Sequence, residues 1–554
     1  MSAGFKTTFQ HLTKTENEAA VDLLVATLDS PHAASRQAAV KALLDRRSPE
    51  GHRAVFQRLA DLDESSRAII NERPERLSAT VTERLQDPDL QTCQAACDAI
   101  VALRLFGALP DVISVLVEPD NPRAELMAQT ALKLAEAFYA ELSGVTDQPR
   151  VKQQDVVRSR VTAALEDATR KFHRHQRLEA VEAFLLIAKQ RNVTLRQLLQ
   201  RTEEVSHQAI LDVLSTSRRG GVLRLLLGFL EDSQMPHVVL NVISERCDRR
   251  FVDHLLRAVG SRPSRAIIET LPRFNYLAWA EPGHELLEKV SSAAQEGAVR
   301  MLMGSSLDRQ QVLNVIGHLL LKGRPIGRRA AARGLAKFEG EEANSLAVKA
   351  LDDEDPEVQA TIIRQIRLRK IPGAFSMLID RIDSLDDRVH EALREAMPEF
   401  TLRQFLANFD SMPDLLQSIA GHIVRRIDSS AADKLIVEMK SMSPVRRRRA
   451  VQAAGAMGLT EEVESTVIKL LSDDDHMVRV VVAKALAECE TMPTWEALRD
   501  ALFDRSVVVQ EAAEQSLERI SRSLLQRLGD GEQDEAEESG ATAQVPEEET
   551  EEIT

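Results

Sequence analysis

Apolar positions along this chain follow helical spacing almost throughout. In the stretch from Val478 to Leu486, Val478, Val481, Val482 and Ala485 fall at i, i+3, i+4 and i+7, which makes one apolar helix face. The acids before it, Asp473, Asp474 and Asp475, supply N-cap and first-turn charge that suits the positive end of a helix. The same phrase returns at Leu28 to Leu43, Leu351 to Ile366 and Leu471 to Leu486: an apolar helix end, an acidic or proline turn, then an Ala-rich second helix. Alternating β-branched runs with Asn-Gly turns, the mark of hairpins, are almost absent.

The turns recur with a period. From Pro325 the anchors Pro356, Asp387, Pro413, Pro444, His476 and Ser506 follow at intervals near 30 residues. Further back, Ser206, Pro236, Pro263 and Glu296 serve as anchors, and the register blurs around Ser65 and between Pro122 and His175. One helix pair cannot bury its own apolar face, whereas stacked pairs can. The pattern predicts an all-α chain, an α-solenoid of about 16 stacked antiparallel helix pairs. Its expected divisions are N-terminal pairs over 1–142, an inserted loop or connection at 143–157, divergent pairs over 158–324, regular pairs over 325–528 and a tail at 529–554.

Composition agrees with close helix packing: 44% of the 554 residues are hydrophobic but only 4% aromatic, so Ala, Leu, Val and Ile carry the core. The net charge is −15, and residues 529–554 hold eleven acids with no Lys or Arg, which leaves −4 on residues 1–528. That tail is too polar to offset its ordering entropy, and we expect it to be disordered. The four cysteines form no CxxC motif or disulfide framework, no apolar signal core opens the chain, and no run suits a membrane span. These features predict a cytoplasmic protein with no membrane insertion.

The repeated phrase resembles HEAT repeats, in particular the short bacterial kind also found in phycobilisome-lyase-type proteins. The match covers residues 26–44, 83–104 and 325–520, and across 143–325 only periodicity and turn position persist. The resemblance implies an α-solenoid whose second helices build a concave face. It also implies a polar ladder of turn Asp and second-helix Arg, matched here by Asp29 with Arg36 and by Asp473 with Arg479. Gln91, Gln359 and Gln510 replace the Arg in other pairs, so the implied ladder is interrupted.

No catalytic constellation rises above background. Walker, HExxH and GxSxG motifs are absent. Gly220 and Gly221 follow Arg218 and Arg219 without a preceding strand, which argues against a phosphate cradle. His173 and His175 at i, i+2 point to different faces of a helix, and Glu281, Glu285 and Glu288 suit a solvated face. Cys93 and Cys97 share a helix face, where small buried packing residues are expected. No cofactor or metal is predicted.

Two departures from monotony remain as candidate partner sites. Phe274, Tyr276 and Trp279 concentrate the scarce aromatics, either as an interface anchor or as filler at a register shift. Arg328, Arg329 and Arg333, then Arg364 and Arg367, then Arg446, Arg447, Arg448 and Arg449 could align as a basic stripe across successive pairs, or serve as solvated and ladder arginines. The leading functional expectation is a non-catalytic scaffold or adaptor that binds protein partners. A bilin-lyase-like enzyme or chaperone is the alternative by fold analogy. A nucleic-acid-binding protein comes third, since the body is slightly acidic. The acidic tail could also fold back onto the basic stripe.

Overall fold

The computed structural model describes residues 3–144, 154–260, 262–384 and 386–540. It is helical throughout, with no strand among the described residues. Contacts divide the chain into two compact units, Met1–Ala330 and Ala331–Thr554. Within each, antiparallel helix pairs stack in chain order, the arrangement of an α-solenoid.

Capping explains where many of these helices begin. Asp63, Asp89, Asp248, Ser291, Asp355, Asp386 and Asp475 each accept a hydrogen bond from a first-turn backbone N–H, satisfying donors that the helix itself cannot. Proline opens the helices Pro49–Gln57, Pro356–Ile366 and Pro444–Met457, where its missing N–H costs nothing.

In the second unit the second helices Asp414–Ile427, Pro444–Met457, His476–Ala485 and Val507–Gly540 each pack directly on the next. Their contact faces are small. Ala450, Val451, Ala453, Ala454 and Met457 of one helix are all buried. At Gly421 the approach is closest: an added Cβ would lie 2.5 Å from the carbonyl oxygen of Ala456. The first unit repeats the device where Arg249–Val259 meets Ser292–Gly304, since a Cβ on Gly297 would lie 1.8 Å from the oxygen of Leu256. Glycine at these points lets two backbones touch.

Three expectations change. In the middle of the chain the second helices start at Gly220, Arg249 and Ser292. Pro236 and Pro263 instead precede the first helices His237–Glu245 and Arg265–Thr270, Ser206 lies in the first helix Val205–Thr216, and Glu296 lies inside Ser292–Gly304. A proline stops a helix equally well at the turn within a pair or between pairs, so it does not distinguish them. Of the connection expected at 143–157, residues 145–153 lie outside the described residues, and Gln154–Arg170 is a helix. The last helix runs Val507–Gly540, so residues 529–540 are helical where we expected disorder, and 541–554 lie outside the described residues.

Replacing Gly421 by Ala should cost about 1–3 kcal/mol by overpacking. Gly4→Ala is the control, because a Cβ there meets nothing within 4 Å. Urea unfolding of the two variants checks this, with only Gly421→Ala shifting the midpoint downward.

Candidate functional site

The repeat is held by one recurrent side-chain position. In many pairs the fourth residue of the second helix turns back to a carbonyl of the turn that precedes it, whereas in the middle of the chain Leu223 and Val252 stand there. Arg36 donates to the oxygen of Ser30 at 2.8 Å, Arg447 to Ser441 at 2.8 Å and Arg479 to Asp473 at 2.7 Å. Gln359 donates to Asp353 at 2.7 Å, Gln510 to Asp504 at 2.6 Å and Gln417 to Met412 at 3.0 Å. Arg328 reaches Gly323 at 3.1 Å, and the His390 ring meets the oxygen of Ser384. A turn carbonyl left without a donor in a part-buried site costs about 1–3 kcal/mol, which is why Arg, Gln or His recurs there.

The arginines do more than the glutamines. With Nη1 on its own turn, Arg447 uses Nε and Nη2 to grip Asp473 of the following pair at 2.7 and 2.8 Å. Arg479 grips Asp504 of the next at 2.8 and 2.9 Å. Arg36 reaches Asp63 at 2.9 Å in the same way. The polar ladder therefore runs between pairs rather than within them. Arg36 does not pair with Asp29, which is held by Arg58, and Arg479 meets Asp473 through its backbone oxygen. Asp473 and Asp504 also accept the N–H of the residue two positions on, at 2.9 and 2.8 Å, bending the chain into the second helix.

Burial is deep at these two rungs: the side chains are 16% and 5% exposed for Arg447 and Asp473, and 3% and 13% for Arg479 and Asp504. At Asp504 the Arg479 hydrogen bonds hold the carboxyl below its ordinary range. At Asp473 burial pushes upward, but the Arg447 hydrogen bonds, the Asp475 N–H and the nearby guanidiniums outweigh it, and the net direction is down.

The arginines singled out in the sequence are largely occupied. Arg446 pairs with Glu438, Arg447 is a ladder rung and Arg449 pairs with Asp410. Arg364 pairs with Glu395, and Arg367 with Glu399 and the oxygen of Ala396. Arg328 closes its own turn, while Arg329 and Arg333 lie on the same helix, Pro325–Leu335. These contacts fit ladder and surface pairing better than a continuous basic stripe.

The aromatic group separates by residue. Phe274 and Trp279 are fully buried, and Tyr276 is 55% exposed. They lie in a non-helical segment between Arg265–Thr270 and Glu285–Lys289, tied down by Ala278 N–H to Ser244 at 2.8 Å and Ser306 N–H to Phe274 at 2.8 Å. The two large rings belong to the buried core of this irregular segment. Glu281, Glu285 and Glu288 are exposed. His175 bonds locally, to the oxygen of Ala168 and the N–H of Arg177, each at 3.0 Å. Cys93, Cys97 and Cys489 are buried, burial pushes the Cys97 and Cys489 thiols up to about 12, and Cys247 alone is exposed.

One surface escaped the sequence reading. The second residue of four successive second helices is apolar and exposed: Leu415 73%, Val445 47%, Met477 42% and Val508 50%. Adjacent packed helices lie roughly 8–10 Å apart, so the row extends over about 30 Å. Met442 at 96% and Phe503 at 87% exposure lie in the turns beside it. The signal was present as an apolar residue two places before each ladder position.

A family model for HEAT repeats matches residues 313–398 and 432–518, so these segments carry HEAT repeats. No curated protein matches in sequence. Among solved structures, importin beta in an ammonium sulfate condition is similar at 12% identity, over 94% of this chain and 85% of that one, with a TM-score of 0.23. Kap121p bound to Ste12p is similar at 12% identity, over 94% of this chain, with a TM-score of 0.24. The match spans about half of that second protein, 53% of its length.

Three outcomes are expected. Arg479→Ala should cost about 3 kcal/mol because it strands a buried carboxylate. Arg479→Gln should recover about 1 kcal/mol of that by still closing the turn, as Gln359 and Gln510 do. Because the folded pKa values of Asp473 and Asp504 are depressed, their stabilisation is complete above the unfolded value of about 4 and is lost as pH falls below it. Unfolding free energies measured from pH 7 down to about 3 should show a shallower acid limb in both Arg479 variants than in the parent chain. In native buffer, iodoacetamide should label Cys247 alone, with the other three thiols reacting only after denaturation, as read by intact mass.

Proposed function

We propose that this chain, with HEAT repeats stacked as a frame, is a non-catalytic scaffold that binds a protein partner. The observation that carries this is the exposed apolar row of Leu415, Val445, Met477 and Val508. Contiguous exposed apolar surface on a folded chain marks protein contact sites. The helices that present it are fixed by the ladder beneath, so little ordering entropy is lost on binding. Arg446 and Arg448, beside Val445, supply a charged rim, the usual anatomy around an apolar contact.

Leu416 and Ile419 widen the patch on the Asp414–Ile427 helix, at 52% and 50% exposure. A partner segment with an apolar face some 30 Å long, such as an amphipathic helix of about 20 residues, has the matching length. A cytoplasmic location is part of the proposal, and the four free cysteines are compatible with a reducing compartment. No helix among the described residues is long and apolar enough to cross a membrane. The bilin-lyase and nucleic-acid readings gain no support from the geometry, and the tail contact falls partly on residues outside those described.

The test uses the full chain with a photo-crosslinking residue at position 477, expressed in its native cell. A discrete crosslinked protein is expected, lost in the Val445→Glu/Met477→Glu background with the crosslinker moved to 508. Circular dichroism should show that the variant melts within a few degrees of the parent. A crosslinking pattern that the two charges leave unchanged would refute the row as the contact surface.

A further inference from the structure

In the first unit, the turns before four second helices bring their basic residues to one cleft of about 800 Å³. Arg218 lies in the turn before Gly220–Leu230, Arg249 and Arg250 open Arg249–Val259, Lys289 lies just before Ser292–Gly304, and Arg324 precedes Pro325–Leu335. Arg257 lies two helical turns beyond Arg250 on the same helix and also lines the cleft. These residues span more than a hundred positions of sequence, and only the stacking of successive pairs assembles them.

The acids that share the cleft are already spent. Asp248 accepts the N–H of Phe251 at 3.0 Å and pairs with Arg246 at 2.6 Å. Asp253 accepts the N–H of Ser291 at 2.8 Å and pairs with Arg257. By contrast, Arg218, Arg249 and Arg324 are exposed and have no carboxylate partner among the described residues. Arg250 donates only to the backbone oxygen of Arg218, at 3.2 Å. The wall is also set in place. Gln295, 1% exposed, accepts the N–H of Arg324 at 2.7 Å and donates to the oxygen of Leu287 at 2.6 Å, which ties the Arg324 turn to the Lys289 turn.

We propose that this cleft docks an acidic peptide segment of a partner protein, its carboxylates gripped by Arg218, Arg249, Arg250 and Arg324. Guanidinium forks match carboxylates in bidentate geometry. Arg218, Arg249 and Arg324 sit at the starts of different second helices in a stack whose neighbours lie roughly 8–10 Å apart, which favours a chain of charges over a single small anion. The lining holds no Phe, Tyr or Trp on which a nucleotide base would stack, and its imidazole, His254, bonds the oxygen of Arg250 at 2.7 Å. The proposal rests on the scaffold reading, but it concerns a different surface from the apolar row.

The test is fluorescence anisotropy with the full chain and a labelled twelve-residue Glu-rich peptide. Controls are the same peptide with Gln for Glu, and an oligothymidylate of equal length. The Glu peptide should bind, with affinity falling as salt rises from about 50 to about 200 mM. Arg249→Ala/Arg324→Ala should weaken it at least about tenfold, since it removes two of the four guanidinium–carboxylate pairs. The apolar-row variant Val445→Glu/Met477→Glu should bind the peptide as the parent does, so failure of one surface is distinguishable from failure of the other. Equal binding of the Glu and Gln peptides, unchanged affinity in the arginine variant, or tighter binding of the oligonucleotide would each overturn the proposal.

Discussion

A helix pair with an Ala-rich contact face has little to hold its turn in place, and the side chain at the fourth position of the second helix supplies that hold. It anchors a turn carbonyl with Arg36, Gln359, Arg447, Arg479 or Gln510, and the chain is thereby committed to enter the second helix at one angle. Where the residue is Arg at positions 447 and 479, the unused side of the guanidinium also meets the next pair's aspartate, so one side chain sets both the turn and the stacking. Close backbone contact at Gly421 depends on that stacking, because the second helices touch only when their entry angles agree.

The same constraint produces the exposed row. Residues two apart on an α-helix point about 200° away from each other. A fourth residue directed back to the turn and the neighbouring pair therefore directs the second residue outward. Leu415, Val445, Met477 and Val508 are exposed as a consequence of where Gln417, Arg447, Arg479 and Gln510 are held. A surface presented by a rigid frame suits recognition, since binding then orders little beyond the partner. In the first unit a related logic operates at the turns themselves, which carry Arg218, Arg249 and Arg324 to one cleft.

Much of this was legible in the sequence, because helical spacing and the Asp-rich turns are local signals. The pair register after Pro325 follows from them directly. The partner of each ladder arginine did not, since Arg479 has an aspartate in its own turn and another in the next, and only the fork's geometry decides between Asp473 and Asp504. The middle of the chain was misregistered because Pro236 and Pro263 start first helices, and because Phe274 and Trp279 replace a helix with an irregular packed segment. That misregistration hid the basic cleft, whose residues only read as equivalent once the turns are placed. The arginine clusters stood out by local density, yet density does not reveal that Arg446, Arg447 and Arg449 each already hold a carboxylate.

The arginine at the fourth position couples one helix pair to the next. A double-mutant cycle on Arg479 and Asp504, measured by urea unfolding of the full chain near pH 7, tests it most directly. The account predicts a coupling free energy of about 1–3 kcal/mol, because each single substitution strands the other group of a buried pair. Additive losses within about 0.3 kcal/mol would contradict it, and the stacking would then rest on apolar packing alone.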